Sequence, residues 1–380
     1  MLAGDLYAFQ DLLTEEEAAT VRRVREFLSA EVTPIANDYW ARAEFPTHLI
    51  KQFAGLGLAG HERSSLLNGW LALEMGHADA SMATFYGVHA GLAMGSIATC
   101  GSPEQQERWL PAMTAFDQVG AFALTEPTGG SDVAAGLRTT ARRDGDTWVL
   151  NGSKRWIGNA TFADLIVVWA RDVEDDQVKG FVVPGDAPGF TATKIENKIA
   201  LRIVQNADIE LADVRIPETD RLQHANSFKD TAKVLRETRA GVAWQAVGVM
   251  LAAYEIALAY AGEREQFGRP IAKFQLVQDL LVRMVGNVTA SLGMCVRLAQ
   301  LQDTGVYKDE HSALAKAYCT TRMREVVGWA RELLAGNGIV LEYNIGRFVA
   351  DAEALYSYEG TREINSLIVG RAITGHGAFV

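Results

Sequence analysis

At 380 residues, 48% of them hydrophobic, the chain is long enough to bury a large core and to divide into two or three domains. Lys and Arg total 36 against 47 Asp and Glu, a net charge of −11. That balance argues against broad binding of nucleic acid or an anionic membrane surface, while leaving room for a local basic pocket around a phosphorylated ligand.

The first stretch, MLAGDLYAFQDLL, carries two acids and no Lys or Arg, unlike a signal or transit peptide. Thr14-Glu15-Glu16-Glu17 then forms a capping-box signature, flanked by Leu13 and Ala18 as a weak staple. Val21, Val24, Phe27 and Leu28 follow at helical spacing, and Pro34 marks a stop. Further helices are expected over about 49–53, 66–75, 82–99 and 103–113. The stretch from Gly55 to Trp70 is short and leaves the helix partition there open.

Near Val119 the texture changes. Short β-prone runs, Ala121–Thr125, Trp148–Leu150, Leu165–Ala170, Phe181–Pro184 and Asp208–Leu211, alternate with Gly, Asn and Asp. Asn151-Gly152 between two such runs reads as a hairpin turn. After about Ser227 long helical patterns return, over 233–262, 274–304 and 308–334, with a shorter one over 363–373. Three long helices suggest a bundle. The expected domains are 1–117, helical; 118–226, β; and 227–380, a helical bundle.

Apolar runs are interrupted before the roughly 18 residues of a membrane span. The C-terminal HGAFV is not a peroxisomal tripeptide. The expectation is a soluble, cytoplasmic protein. Cys100, Cys295 and Cys319 lie far apart in apolar contexts, with no CxxC pair and no His at ligand spacing. They read as reduced packing residues, and no metal site is expected.

Four segments carry more Gly, Ser, Thr and Trp than packing requires. Phe122 to Asp132 runs a strand into a Gly-rich turn whose N–H groups and hydroxyls suit a phosphate or a polar ring edge, and which alone also fits an ordinary loop. Lys154 to Asn159 offers Trp156 for stacking on a planar ring, or for simple packing. Glu263 to Gly268, with Gln275 beyond, places an Arg among Gln and Phe between two long helices, suited to a pyrophosphate or to solvent. Ala335 to Gly338 and Tyr358 to Thr361 form the fourth. There Glu359 follows the apolar and aromatic run Leu355 to Tyr358, where partial desolvation would raise its pKa towards that of a working base; a surface carboxylate is the plain alternative. No G-x-G-x-x-G joins a strand to a helix, and no P-loop, G-x-S-x-G or H-E-x-x-H is present.

In this order, on a helical–β–helical frame, TEPTGGSD, WIGN, EREQFGRP, AGNG and YEGT resemble the acyl-CoA dehydrogenase family over nearly the whole chain. NDYWARAEFP, KRWIGNATFADL and NKIALRIVQNADIEL are similar to the glutaryl-CoA dehydrogenase branch and especially to plant short-chain acyl-CoA oxidases. The resemblance implies an α+β fold: an N-terminal helical domain, a middle β-barrel-like domain and a C-terminal four-helix bundle, assembled as a homotetramer. It implies FAD as cofactor, an acyl-CoA substrate and an electron-transfer flavoprotein as partner. It places Phe122, Leu124, Thr125, Ser131, Trp156 and Gly158 along the flavin. Arg264, Gln266, Phe267 and Gln275 match positions that reach a neighbour's FAD; Glu332, Gly336, Thr361 and Glu363 match further FAD contacts. Ser131 and Arg239 match positions near CoA, and Phe85, Tyr86, Tyr358 and Gly360 fall around the acyl group.

The implied reaction is α,β-dehydrogenation of a short-chain acyl-CoA. Glu359 removes the α-proton, the β-hydrogen leaves as hydride to flavin N5, and the Glu359 N–H with a ribityl hydroxyl steadies the thioester oxygen. Two departures qualify it. Gly158 stands where many relatives carry a Thr whose hydroxyl bonds the flavin, which keeps oxygen open as acceptor, as in an acyl-CoA oxidase. Ala83 stands where glutaryl-CoA enzymes carry an Arg for the distal carboxylate, which disfavours glutaryl-CoA. Phe85 and Tyr86 either narrow an acyl tunnel or pack the helix core. A flavin-free scaffold, or a nitroalkane oxidase with Asp as base, fits Glu359, Arg264 and Ser131 less well.

Overall fold

The computed structural model describes residues 3–60 and 63–378. The expectations for the extreme termini, and part of the one for the short 55–70 stretch, fall on 1–2, 61–62 and 379–380, outside the described residues.

The Thr14 box is formed: the Glu17 N–H donates to Thr14 Oγ1 at 3.3 Å, and the Thr14 N–H donates back to the Glu17 carboxylate at 2.9 Å. It starts α1, Glu15–Phe27. Pro34 does not stop the helix. A π-helical turn, Leu28–Val32, carries the chain into α2, Thr33–Arg42, whose first turn holds Pro34. There a missing N–H costs nothing. Next come α3, Ile50–Ala54, α4, Ser65–Ala78, and α5, Ala80–Tyr86. A second π segment, Gly87–Ala93, joins α5 to α6, Met94–Cys100, and α7, Pro103–Thr114, closes the helical part.

The middle part holds β1, Gly120–Ala123, the short α8, Val133–Gly136, β2, Thr140–Asp144, and β3, Thr147–Ile157. It continues with β4, Leu165–Asp172, β5, Val178–Pro184, β6, Phe190–Lys194, and β7, Ala207–Pro217. The sheet runs β1-β4-β2-β3-β7-β6, with β5 also on β4, and β1 parallel to β4. Its alternation sorts two cores. Ala121, Ile166, Val168, Phe181 and Val183 face an inner β-core, whereas Phe122, Val167, Trp169 and Val182 join the helical core. Burial on both faces explains why β4 reads as one continuous apolar run.

The hairpin expected at Asn151-Gly152 is a correction. The turn lies at Gly145-Asp146, between Asp144 and its partner Thr147. Asn151-Gly152 sits inside β3 at a register shift against β7, where Asp213 adopts φ 52° and its N–H donates to Asn151 Oδ1 at 2.9 Å. Gly152 is needed there because a Cβ would lie 2.7 Å from the Thr139 Cα. A bulge and a tight turn select the same residue types, so sequence alone does not separate them.

The C-terminal part begins with α9, Phe228–Glu263. A two-residue hairpin, β8 and β9 (Glu265–Gln266 and Arg269–Pro270), leads to α10, Gln275–Asp303, and α11, Asp309–Leu333. Then follow α12, Ile345–Ser357, and α13, Arg362–Thr374. Helix α12 was not anticipated, and it packs on α9 and α11 as the bundle's further member. Its apolar stripe, Ile345, Phe348, Ala352 and Leu355, is interrupted by the buried Arg347 and Asp351. Arg347 pairs with the buried Asp79; Asp351 accepts from Trp40 Nε1 at 2.9 Å and from the Leu201 N–H at 2.6 Å. These bonds tie the N-terminal helices, the β-part and α12 into one unit.

The expectation that apolar runs stop short of membrane length is also corrected. Helices α9 and α10 both hold 18-residue windows long and apolar enough to cross a bilayer; in α9, 78% of that window is buried inside the protein. The three cysteines are free and buried, with Cys295 and Cys319 Sγ atoms 3.9 Å apart.

Candidate active site

Glu359 lies in the turn between α12 and α13. It adopts φ 54°, and Gly360 follows at φ 85°. A left-handed non-glycine residue costs about 1–2 kcal/mol, so the surroundings must hold it. The Tyr358 hydroxyl donates to Gln245 Oε1 at 3.0 Å and lies 3.5 Å from Thr84 Oγ1. Lys316 Nζ donates to the carbonyls of Tyr356 and Gly360, and Asn365 Nδ2 also donates to Gly360 O, at 2.9 Å. Thr361 caps α13 by accepting from the Ile364 N–H at 3.3 Å.

The carboxylate has one direct hydrogen-bond donor among the described residues, Thr238 Oγ1 at 3.0 Å from Oε2. That hydroxyl is also 3.2 Å from Leu235 O, so its single proton serves one acceptor at a time. Burial pushes the Glu359 carboxyl above its usual range; the Thr238 bond and the charges of Arg239 and Lys316 pull it part of the way back. The residue as a whole is half-buried, but the carboxylate is the enclosed part. Burial lowers the Arg239 pKa, against the field of Glu359, and its buried Nε has no hydrogen-bond partner. A buried guanidinium donor left unpaired beside a base is a ready partner for a polar ligand atom.

The first two motif segments meet. The Arg155 N–H donates to Thr125 O at 2.9 Å, so the Gly-rich turn lies beside Trp156. Trp156 adopts φ 66°, is 52% exposed, and is covered on one face by the Arg155 guanidinium, 4.9 Å from its centroid. Glu126 anchors the turn: it accepts from Lys154 Nζ at 2.9 Å and from the Thr139 N–H at 2.8 Å. The Thr125 and Ser131 hydroxyls make no hydrogen bond to the chain among the described residues, whereas Phe122 and Leu124 are buried in the core. Gly158 is buried, and a Cβ there would lie 3.1 Å from Val88 Cγ2. Asn159 Nδ2 donates to Phe85 O at 3.3 Å and Gly120 O at 3.2 Å, docking this loop onto α5.

Phe85 and Tyr86 are packed. Phe85 sits among Phe45, Phe53, Phe116 and Phe162, and the Tyr86 hydroxyl donates to Leu58 O at 3.0 Å. On α5 the residue in reach of the Glu359 turn is their neighbour Thr84.

Arg264, Gln266, Phe267 and Gln275 lie elsewhere. Arg239 and Glu263 are on one helix, so they stand about 36 Å apart at 1.5 Å per residue. Arg264 bonds to the chain only through its backbone among the described residues, and Phe267 is 92% exposed. Glu332 and Gly336 are exposed at the same end, since Asn337 Nδ2 donates to Tyr260 OH at 3.0 Å. Glu363, exposed, pairs with Arg362 at 2.7 Å.

Sequence reasoning did not find Thr238, Gln245 or Lys316. The signal was faint: the half-buried Thr238 adjoins the anticipated Arg239 and Gln245 falls inside the apolar run of α9, while Lys316 is buried on α11 with nothing in its neighbours to mark it.

A helical, β, helical chain with an enclosed carboxylate near a buried Arg donor, and with an exposed Trp beside a Gly-rich turn, has the organisation expected of a flavin-dependent oxidoreductase. Comparison with known families agrees: the acyl-CoA dehydrogenase N-terminal domain matches residues 14–117, the middle domain 121–214 and the C-terminal domain 228–374. The chain belongs to the acyl-CoA dehydrogenase family, whose members are FAD-dependent oxidoreductases. It is 35% identical to the short-chain specific acyl-CoA dehydrogenase of Mus musculus, over 91% of this chain and 87% of that one. A glutaryl-CoA dehydrogenase from Mycobacterium smegmatis in complex with FADH2 superimposes with a TM-score of 0.96 at 34% identity, covering 100% of both chains. Butyryl-CoA dehydrogenase from Megasphaera elsdenii gives 0.91 at 28% identity, covering 95% of this chain and 98% of that one.

Proposed function

We propose that this protein dehydrogenates a short-chain acyl-CoA to the trans-2-enoyl-CoA, with Glu359 as the base. The observation that carries the reading is the enclosed Glu359 carboxylate, raised in pKa by burial and drawn part of the way back by Thr238, Arg239 and Lys316. A carboxylate poised between those influences can take the weakly acidic proton α to a thioester. The Glu359 N–H, in a turn fixed on both sides, is the donor for the thioester oxygen, where negative charge develops. An acyl chain entering beside Glu359 displaces water and brings base and carbon acid closer in pKa.

FAD, when bound, supplies the two-electron acceptor for the β-hydrogen. The free Thr125 and Ser131 hydroxyls and the open Trp156 face fit such a group. Arg264, Gln266, Phe267 and Gln275, displaced along α9, fit the cofactor of a neighbouring copy, and the homotetramer is part of this proposal. The exposed apolar Phe267, Leu276 and Val282 support it. Ser131 and Arg239 would take the CoA side. Short chain length is supported by the named relatives, a short-chain specific acyl-CoA dehydrogenase and a butyryl-CoA dehydrogenase. An electron-transfer flavoprotein is the proposed acceptor. Gly158 favours a second reading, reoxidation by oxygen, because no side-chain hydroxyl is available at that buried position.

The test is anaerobic mixing of the purified flavoprotein with butyryl-CoA. Bleaching of the flavin is expected in the wild type and is lost in Glu359→Gln, which still binds FAD. Bleaching of that variant at the wild-type rate would remove Glu359 as the base. Rapid recolouring in air with stoichiometric peroxide would replace the dehydrogenase reading by an oxidase.

A further inference from the structure

Lys316 is fully buried on α11, within the stripe formed by Ser312, Ala313, Ala315, Cys319 and Thr320. A buried lysine ordinarily pairs with a carboxylate. This one has no acidic oxygen within ion-pair distance among the described residues; its ammonium donates instead to Tyr356 O at 2.8 Å and Gly360 O at 2.7 Å. The first acceptor lies in the last turn of α12, where carbonyls lack helical partners and the helix dipole favours a cation. The second lies just past Glu359. One ammonium therefore closes the loop from 356 to 360, inside which Glu359 and Gly360 both hold positive φ.

We infer that Lys316 is a positioning residue for the base: it clasps the two carbonyls that bracket Glu359 and, in its charged form, sets a cation near the carboxylate. The inference rests on the proposed role of Glu359. Among the described residues no other side chain bridges the Tyr356 and Gly360 carbonyls, so loss of the clasp leaves the left-handed turn less restrained. Asn365 would still hold the Gly360 side.

The charged and titratable groups around the carboxylate are few. From α9 come Arg239 and the Thr238 hydroxyl; from α11, Lys316. Tyr358 stays neutral, its phenol pushed up by burial. Glu363 on α13 acts on Lys316, and Tyr307 and Asp309 act on Arg239. Burial draws the ammonium down to about 8, while Glu359 raises it. The coupling is reciprocal, so Lys316 in its charged form favours ionised Glu359.

The experiment compares Lys316→Met, Lys316→Gln and Lys316→Arg with wild type and Glu359→Gln. It measures kcat and KM for butyryl-CoA between roughly pH 5 and 9 with an artificial electron acceptor, alongside FAD content and melting temperature. Lys316→Met is expected to keep FAD, to lose about tenfold in kcat at neutral pH with KM little changed, and to move the acid limb of kcat/KM up by about one pH unit, as loss of a nearby opposite charge requires. Lys316→Arg restores the limb. A purely structural lysine would lower the melting temperature but leave the limb in place. If Lys316→Met does not fold, the contrast between Gln, which moves the limb, and Arg, which does not, carries the test. Limbs that superimpose on wild type in the Met and Gln variants, with Glu359→Gln inactive, overturn the role of Lys316 alone. Full activity in Glu359→Gln overturns the base assignment, and this inference with it.

Discussion

Thr238→Val isolates the one hydrogen bond that the Glu359 carboxylate accepts from a side chain among the described residues. The swap keeps the branched shape on α9 and removes a hydroxyl 3.0 Å from Oε2. A hydrogen bond to a charged group contributes about 1.5–3 kcal/mol, and one pKa unit corresponds to about 1.4 kcal/mol, so the upper bound is about two units. The hydroxyl divides its time with Leu235 O, 3.2 Å away, which reduces the net effect to about one unit. The sign is fixed: the donor favours the ionised form, so its loss raises the Glu359 pKa. The acid limb of kcat/KM for butyryl-CoA, which reports the free enzyme, should therefore move up by about one pH unit. Below the limb the variant is about tenfold slower; above it the two enzymes converge. Valine keeps the branched shape, so the melting temperature should change little. A limb that stays put, or moves down, refutes the picture of Thr238 as a donor that favours the ionised base.

Arg264→Ala should weaken FAD retention, read as the flavin-to-protein absorbance ratio after gel filtration, while leaving the acid limb of the remaining holoenzyme unshifted. Glutaryl-CoA should bleach the flavin far less than butyryl-CoA in the same anaerobic titration, because Ala83 offers no cation to a distal carboxylate; equal bleaching would show that another residue supplies one. Asp351 is pushed up to about 7 by burial first and by Asp79 second. A carboxyl whose folded pKa exceeds its unfolded value binds protons preferentially in the native state, so the stability it confers is present at low pH and is lost as pH rises from about 4 to about 7. Asp351→Asn should flatten that part of the melting-temperature profile; a profile as steep as the wild type would assign the slope to other groups.

The helices and most strands were legible because their apolar residues keep a period of 3.6 or 2 and their caps carry Ser, Thr or Pro signals. What escaped did so for stated physical reasons. Helix α12 broke its own pattern with Arg347 and Asp351, which are tolerated inside only because Asp79, Trp40 and Leu201 satisfy them from other parts of the chain. Asn151-Gly152 has the composition of a turn and the geometry of a bulge. Lys316 looked like any helix-surface lysine, since its acceptors are main-chain carbonyls forty and forty-four residues away.

The division of the site into two ends was legible in principle. Arg239 falls within, and Arg264 just beyond, a stretch whose periodicity predicts a single helix. Helical rise then separates them by about 38 Å. That exceeds the hydrogen-bonding reach of any side chain many times over. Arg264 therefore cannot serve the group that Arg239 and Glu359 face through the same few contacts. The Tyr260–Asn337 bond adds Glu332 and Gly336 to the distant end. The chain places its base at one end of α9, and at the other end Arg264, with no side-chain partner among the described residues, lies near Gln266, Gln275 and the exposed Phe267. Under the proposed reading, the Arg264 cluster completes the cofactor site of a neighbouring subunit, and the length of α9 sets the spacing between them.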